Sequence, residues 1–371
     1  MNAATSFGTL SEFLLQAGTE YFIIDVSRTR LLLDNQQFFD YETNKLPFAH
    51  PRQGHAWLCI VFWNKQLSEE HYMWFLKLPL DEQSLLVQAA RDQFLHTVAT
   101  ALGQQLQGMQ EGKTELPENP FIFVPSQQLL ADCNTLIRSH LQLPARKLAD
   151  KASQYIKAPN VQPWSELSVQ DMSDLAMNIS EREVCEAFVR NMTILPYPVS
   201  VCLCSSFEGI RLPNSAIDSI LHYHRSSETI HNVNHDAKNA NHETSIGPLL
   251  LRALASSQNK QVLEYLCEYI ISNDTIDPDT FIVIAGRHWQ ALSPEMDICM
   301  DYLSSKGVTD SLLHIFFDKL AQSDSTFALF KGIYADLVQI PSLRVFLLAM
   351  LRAPKLSNSL NKAVSSLLSM A

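Results

Sequence analysis

The last third of this 371-residue chain contains evenly spaced helix-start signals, and this rhythm limits the possible fold more than any other feature. Successive signals are 18, 17, 15, 16, 16 and 16 residues apart, at the following positions: Asn259, Asp277, Pro294, Thr309, Ser325, Pro341 and Ser357. A pair of such helices repeats every 31 to 35 residues, a period typical of helical solenoids. The rhythm therefore predicts stacked pairs of helices from about residue 259 onward.

Capping residues support the same prediction. Asp277 followed by Pro278 is a helix N-cap with proline in the first turn, and Ser293 with Pro294 repeats this pattern. Helices this short gain most of their stability by burying an apolar face on neighbouring helices. The fixed-offset pattern of tetratricopeptide repeats is missing from the sequence, so we expect a mainly α, HEAT-like irregular α-solenoid over residues 164–371.

Helical patterning is less regular between residues 164 and 246. The spacing of apolar residues predicts one helix from Ser165, a second over 181–191 and a third over 214–225. Residues 194–209 are compatible with either an irregular helix or a short strand. Residues 126–163, with a predicted helix at 126–141 and three prolines after it, are expected to join this domain to the preceding one.

The first 125 residues predict a different domain, a small α+β unit with an antiparallel sheet. Segments rich in β-branched and aromatic residues predict strands at 20–26, 56–63 and 71–79. The second segment is apolar at every position, so we expect a central strand that is covered on both faces and forms a hairpin with the third. Helices are expected near residues 8–17 and from an N-cap at Asp81 to about Leu102.

Several segments of this N-terminal third carry a family resemblance. They include Trp-Phe-Leu-Lys-Leu-Pro-Leu-Asp-Glu-Gln at 74–83 and Ala-Ala-Arg-Asp at 89–92, together with residues 13–18, 22–25 with Arg28, 56–58, 61–63 and 119–125. These segments resemble an uncharacterised gammaproteobacterial family catalogued only as a domain of unknown function. The resemblance implies a bacterial cytoplasmic protein and carries over no activity and no functional residue.

The charge balance disfavours nucleic acid as a partner. The chain holds 28 basic and 39 acidic residues, a net charge of −11, and residues 161–371 account for −8 of it. Because nucleic-acid affinity comes largely from Lys and Arg displacing counterions, we expect no nucleic-acid partner. The seven cysteines are scattered among apolar neighbours, which is typical of reduced core residues. With no signal-peptide core and no apolar run of 18 residues, the sequence predicts a cytoplasmic location.

Three histidines form a candidate metal site. His231, His235 and His242 lie in an Asn-rich segment, and the four-residue spacing of the first two would let them share a metal ion on a helix. The same segment lacks an apolar stripe and is rich in turn-forming residues, so a solvated loop is the stronger interpretation.

A second candidate site lies late in a predicted helix. Arg287, His288 and Trp289 are an expected interaction point, since Arg and Trp are favoured at interface hot spots. A tryptophan half-buried between repeats is the simpler alternative.

The functional expectation is a non-enzymatic protein–protein interaction adaptor or regulator that binds a protein partner. No phosphate-binding glycine loop, nucleophile elbow, metalloprotease helix or kinase motif occurs in the sequence, so we expect neither catalysis nor a cofactor. One alternative is a small-molecule-sensing module with an aromatic N-terminal domain. Another is a peripheral membrane factor, because the last 35 residues contain four basic residues and no acid. A buried helix followed by one that caps the stack is the stronger interpretation of those residues.

Overall fold

The chain divides into two compact units. The computed structural model describes residues 8–64, 70–106, 119–143, 149–159, 163–231, 246–256, 259–353 and 356–369, without the side chains of 101–106, 149–150 and 227–231. Unit 1 comprises Met1–Pro125 and Val338–Val345, and unit 2 comprises Ser126–Leu337 and Phe346–Ala371. Residues from the C-terminal region therefore belong to the N-terminal unit, although the sequence pattern predicted them to lie in the helical domain.

Unit 1 is built on a four-stranded antiparallel sheet. Its strands, in the order β2-β1-β3-β4 across the sheet, are β1 (Glu20–Asp25), β2 (Leu31–Leu33), β3 (His55–Trp63) and β4 (His71–Pro79). All three predicted strands are confirmed, and so is the β3–β4 hairpin, in which Leu58 pairs with Leu76. β3 is an interior strand whose Cys59 and Ile60 are inaccessible to solvent. Because both faces of β3 are covered, its side chains are apolar on both faces of the sheet.

Three helices supply the apolar core of unit 1 on one face of the sheet. They are α1 (Leu10–Gln16), α2 (Asn35–Glu42) and α3 (Gln88–Leu106). Leu10, Phe38 and Phe94 pack with Leu58 and Ile60, which lie at alternate positions of β3. Each fully buried side chain of this kind contributes roughly 1.5–3 kcal/mol to folding.

The predicted start of the third helix is wrong. α3 begins at Gln88, whereas Asp81 belongs to a turn in which its Oδ1 accepts the N–H groups of Gln83 and Leu85 at 2.8 and 2.9 Å. Ser84 in this turn has a φ of +63°. An aspartate side chain can accept hydrogen bonds from the amides of a turn as well as from those of a helix N-terminus. The presence of Asp81 therefore did not by itself locate the start of α3.

Gln339 holds the segment Val338–Val345 within unit 1. Its Oε1 accepts a hydrogen bond from Gly54 N at 2.6 Å, and its carbonyl oxygen accepts one from Ser84 Oγ at 2.8 Å. Arg344 Nη2 donates to the same carbonyl and to Ser84 Oγ, both at 3.1 Å. The segment therefore completes polar contacts at two turns of the sheet domain.

Unit 2 is mainly helical and contains no strand among its described residues. Its helices are α4 (Gln127–His140), α5 (Ala149–Lys157), α6 (Val169–Met177), α7 (Arg182–Asn191), α8 (Tyr197–Phe207), α9 (Asn214–His231), α10 (Ile246–Ala253), α11 (Lys260–Ser272), α12 (Pro278–Arg287), α13 (Asp297–Ser305), α14 (Leu312–Ser323), α15 (Ala328–Leu337) and α17 (Asn358–Leu368), while α16 (Pro341–Met350) runs from unit 1 into unit 2. The ambiguous stretch 194–209 is thus the helix α8. Among the described residues, no helix combines the length and apolar character needed to span a membrane.

The helices of unit 2 pack in two rows. In the first row, α4, α6, α8, α10, α12 and α15 each contact the next member. In the second row, α5 packs on α7, α7 on α9, α9 on α11, α11 on both α13 and α14, and α14 on α17. From α4 to α12 successive helices therefore alternate between rows, which buries the apolar stripe of each on neighbours two positions away in the chain. The alternation is interrupted at α13 and α14, which both contact α11 in the second row.

Four of the seven predicted helix starts are confirmed. Asn259, Asp277 and Ser357 are N-caps whose side chains accept backbone N–H groups of the first turn, and α16 begins at Pro341. These starts were predictable because a cap and the first turn that it satisfies lie within four residues of each other.

The other three helices begin two or three residues later than predicted. α13 starts at Asp297 and not at Pro294, and α14 has its N-cap at Ser311. Before α15, the Asp324 carboxylate accepts the N–H groups of Thr326 and Ala328. Because these bonds hold an extra turn, α15 begins at Ala328 in place of Ser325.

Candidate functional site

The three histidines proposed as metal ligands are only partly placed. His231 is the last residue of α9, where the side chain is not described, and His235 and His242 lie outside the described residues. Within the described ranges, no group of three or more His, Cys, Asp or Glu side chains is arranged to hold a metal ion. The metal site stays a prediction.

The proposed interaction residues lie at the end of α12 and the start of a short 3₁₀ turn, Trp289–Leu292. His288 and Trp289 are buried, at 5% and 8% exposure, whereas the Arg287 side chain keeps 24% of its surface exposed. Arg287 is therefore the partly exposed residue of this triplet, while the indole packs inside unit 2. The role of the triplet in binding a partner stays a prediction.

A buried carboxylate joins three helices of the first row. Glu208 follows α8 directly and is 2% exposed. Arg252 of α10 donates Nε to Glu208 Oε1 and Nη2 to Ser205 Oγ, the latter at 3.2 Å. Arg287 Nε of α12 lies 3.0 Å from the same Glu208 oxygen. One carboxylate thus serves two guanidinium groups, so its removal would leave two positive charges facing each other between helices.

Two buried histidines accompany this ion cluster. Burial lowers the pKa of His288 to about 4 and that of His224 to about 4, and for His224 repulsion from His288 adds to the effect. His288 Nε2 donates to the Leu251 carbonyl oxygen at 2.8 Å. His224 Nε2 has no hydrogen-bond partner among the described residues. Both rings are therefore uncharged near neutral pH, and for His288 burial outweighs the Leu251 carbonyl and the Glu208 carboxylate, which favour its protonated form.

The chemistry of the Glu208 cluster favours a structural role. Cys204 lies one helical turn before Glu208 and is fully buried, and burial raises its pKa to about 12. A thiol with this pKa stays protonated and is a poor nucleophile. The cluster can fix the stacking of α8, α10 and α12, and its neutral histidines make that stacking sensitive to acid.

A second polar network links α4, α6 and α8. Asp132 Oδ1 on α4 accepts Ser173 Oγ of α6 at 2.8 Å and Ser206 Oγ of α8 at 2.6 Å. Gln128 Nε2 donates to the same oxygen at 2.8 Å. With the contacts of Glu208, buried polar groups run along the first row from α4 to α12. The sequence did not reveal this network, because Ser and Gln on a short helix are equally common at solvent-facing positions.

The second row carries two open grooves. The groove between α7 and α9 has a volume of about 570 Å³, and its lining includes Val189, Met192, Asp218, His222, Tyr223 and Ser226. The groove between α14 and the start of α17 has a volume of about 450 Å³, and its lining includes Asp310, His314, Ile315, Asp318, Lys319 and Ser357. Each groove combines carboxylate, imidazole and hydroxyl groups with an apolar wall.

The lysine in the second groove is engaged with backbone oxygens. Lys319 Nζ donates to the carbonyl groups of Ile271 and Asn273, at 3.1 and 2.5 Å, and so caps the C-terminus of α11. Partial burial lowers the pKa of this lysine. Its donors are thus used within the protein, while the groove lining contains two carboxylates, Asp310 and Asp318, beside this one lysine.

Unit 1 contains a carboxylate–histidine pair at the end of β1. Asp25 is buried, its Oδ2 lies 2.8 Å from His50 Nδ1, and its Oδ1 accepts Ser27 N at 2.9 Å. Arg28 Nε donates to the Pro51 carbonyl oxygen at 2.9 Å. Asp25 and Arg28 belong to the segments that carry the family resemblance. In the structure they join the β1–β2 connection to residues 50–51.

The aromatic residues of unit 1 leave little enclosed space. A cavity lined by residues including Phe38, Tyr41, Glu42 and Phe48 has a volume of only about 10 Å³, roughly the space of one water molecule. A small-molecule ligand at this position would therefore require the core to open.

Comparison with known proteins identifies a family for the whole chain. A family model described as "Protein of unknown function (DUF3549)" matches residues 5–368. The chain belongs to this family. The resemblance of the N-terminal third to a family of unknown function is thereby confirmed, and the family match extends through the helices of unit 2. No curated protein and no solved structure matches the chain.

Proposed function

We propose that this chain is a non-enzymatic protein–protein interaction adaptor in which unit 2 is an α-solenoid that binds a partner along its second row. The single observation that supports this proposal is the packing of the helices in two rows, with open grooves between neighbouring helices of the second row. Stacked helix pairs of this kind provide extended surfaces that bind other proteins.

The charges of the two grooves favour a partner with exposed basic side chains. Asp218 lines the α7–α9 groove, and Asp310 and Asp318 line the α14–α17 groove. The only cation named in either lining, Lys319, is bonded to backbone carbonyl groups. A Lys or Arg of the partner would meet these carboxylates, while its apolar stem would contact side chains such as Met192.

Electrostatics would act mainly on the rate of association. Exposed ion pairs contribute only about 0.2–1 kcal/mol each, so affinity would depend on the apolar walls of the grooves. The net charge of −8 over residues 161–371 would attract a basic partner over distances of about a Debye length, roughly 8 Å at physiological salt. Binding should therefore weaken as salt concentration rises.

A crosslinking pull-down from native cells tests the proposal. The bait is the full chain, and the test variant reverses one charge in each groove, Asp218→Arg with Asp310→Arg. A matched control carries the same change of charge at two exposed positions outside the grooves, Asp279→Arg with Glu295→Arg. Mass spectrometry then identifies the captured proteins and the crosslinked residues.

We expect one stoichiometric partner that crosslinks through lysines to the second row. The groove variant should lose this partner, and the control variant should retain it. Two results would contradict the proposal: the absence of any partner under gentle conditions, or a partner that binds the groove variant as well as it binds the control.

A further inference from the structure

Two cysteines of unit 2 face each other across packed helices. Cys267 lies on α11 and Cys299 on α13, and these helices are neighbours in the second row. Both residues are free thiols with exposures of 0% and 2%. Their Sγ atoms are 2.8 Å apart, with the Cys267 thiol donating to Cys299 Sγ.

We propose that Cys267 and Cys299 form a reversible intramolecular disulfide when the protein encounters hydrogen peroxide, and that this pair is a redox-modification site that joins α11 to α13. A second pair of cysteines that are close in the sequence, Cys202 and Cys204, lies on α8. Residues two apart on a helix point in different directions, so that pair is poorly placed to close.

The geometry leaves little movement for bond formation. A disulfide has an S–S length of about 2.05 Å, so the two sulfur atoms have to approach by about 0.8 Å. Because α11 and α13 lie in the same packed unit, the second thiol is present at a high effective concentration once the first has reacted.

The hydrogen bond assigns the order of reaction. Donation from Cys267 lowers the pKa of Cys299, so Cys299 is the nucleophile. Its Sγ loses its proton and attacks one oxygen of the peroxide, the O–O bond breaks, and the departing hydroxide accepts that proton and becomes water. Cys299 is then a sulfenic acid.

Cys267 completes the reaction. Its Sγ loses a proton and attacks the sulfenic sulfur, the S–O bond breaks, and the departing hydroxide accepts that proton to form a second water. Two thiols have then lost two electrons, and one peroxide has been reduced to two waters. A thiol reductant reverses the change by thiol–disulfide exchange.

Burial of both sulfur atoms sets the selectivity of this site. A small oxidant enters during local opening of the helices, whereas a bulky alkylating reagent is excluded for longer. We therefore expect the pair to resist alkylation in the folded protein and yet to be oxidised readily by peroxide.

Peptide mapping of the full-length protein tests the proposal. The protein is treated with a series of hydrogen peroxide concentrations, alkylated in denaturant and digested without reductant, and the peptides are identified by mass spectrometry. We expect a linked peptide pair containing Cys267 and Cys299, lighter than the separate peptides by two hydrogens, at a peroxide concentration about tenfold lower than any other cysteine pair requires, because of the high effective concentration. Dithiothreitol should abolish the link.

Variants assign the two roles. Cys267→Ser should prevent the link and leave a sulfenic acid at Cys299 that dimedone traps when it is added together with denaturant, whereas the control Cys133→Ser should leave the link unchanged. If Cys267 and Cys299 stay reduced at a peroxide concentration that oxidises Cys202, the proposal is wrong. Formation of the link only after unfolding in urea would overturn it equally, and this outcome is read on the wild-type protein, independently of how well any variant folds.

Discussion

Acidification should destabilise unit 2 through its two buried histidines. Burial lowers the pKa of His224 and His288 to about 4 in the folded protein, whereas histidine in an unfolded chain has a pKa of about 6.5. Between these two values the unfolded chain binds more protons than the folded one, so the free energy of unfolding falls as the pH falls. Above about pH 7 these histidines do not lower the free energy of unfolding. As the pH falls from about 7 toward about 4, they lower it progressively.

The size of the effect follows from the two pKa values. For one such histidine, the free energy of unfolding at pH 5.5 is lower by about 1.4 kcal/mol than at high pH, whereas the corresponding loss at pH 7.5 is only about 0.1 kcal/mol. The two sites are not independent, because repulsion from His288 contributes to the shift of His224. We therefore expect the pair to lower the free energy of unfolding by roughly 2 kcal/mol between pH 7.5 and pH 5.5.

Urea-induced unfolding at the two pH values, followed by circular dichroism, measures this change. The test variant is His224→Gln with His288→Gln, in which the amide at 288 can still donate to the Leu251 carbonyl. The control variant, His222→Gln, replaces an exposed histidine of the same helix α9. The wild type and the control should lose about 2 kcal/mol more than the double variant between the two pH values.

Two results would refute this reasoning. The first is an equal loss of stability in the wild type and the double variant, because the acid sensitivity would then arise from other groups. The second is a wild-type free energy of unfolding that does not change between pH 7.5 and pH 5.5.

Two further substitutions test polar contacts in the two units. Glu208→Ala should lower the free energy of unfolding by about 3 kcal/mol, because two guanidinium groups lose their shared carboxylate, whereas the exposed control Glu295→Ala should change it by less than about 0.5 kcal/mol in urea unfolding. Gln339→Ala should cost about 1–2 kcal/mol, because the Gly54 amide loses its acceptor. Hydrogen exchange should show faster exchange of the Gly54 amide in this variant and no change in the control Gln322→Ala. Unchanged exchange at Gly54 would show that the contact is not maintained in solution.

The secondary structure was predictable wherever its determinants are local. Dense β-branched and aromatic residues predict the strands β1, β3 and β4. The capping residues Asn259, Asp277 and Ser357 predict the starts of the helices that follow them. The segments β2 and α2 were not predicted. The run Leu31–Leu33 is too short to show a period. The helix α2 has a local signal in its N-cap Asp34, which accepts the N–H groups of Gln36 and Gln37, but its eight residues are few for an apolar stripe.

Long-range contacts could not be predicted in the same way. Nothing near Gln339 in the sequence indicates that it bonds to Gly54, 285 residues away. The Glu208 cluster also depends on residues that are far apart in the sequence, since Arg252 and Arg287 are 44 and 79 positions further along the chain. Arg287 and His288 were singled out by residue type, but their partners depend on which helices stack, and one sequence contains no direct measure of stacking.

The two rows of unit 2 differ in what holds them together, and this difference bears on the proposed function. The first row contains buried carboxylates, Asp132 and Glu208, whose partners come from several helices. Breaking such contacts leaves buried polar groups unsatisfied, so they favour one arrangement of the helices. The second row instead has open grooves and a thiol pair.

An adaptor of the proposed kind needs a fixed layer that supports a binding layer, and the two sets of substitutions separate these roles. Glu208→Ala should lower stability strongly and should weaken partner binding only as far as the protein unfolds. Asp218→Arg, at an exposed position of a groove, should change the free energy of unfolding by less than about 0.5 kcal/mol and yet reduce binding. If the groove substitution acted on binding only in proportion to a loss of stability, the second row would have no separate role in recognition, and the partner site would have to lie elsewhere on the chain.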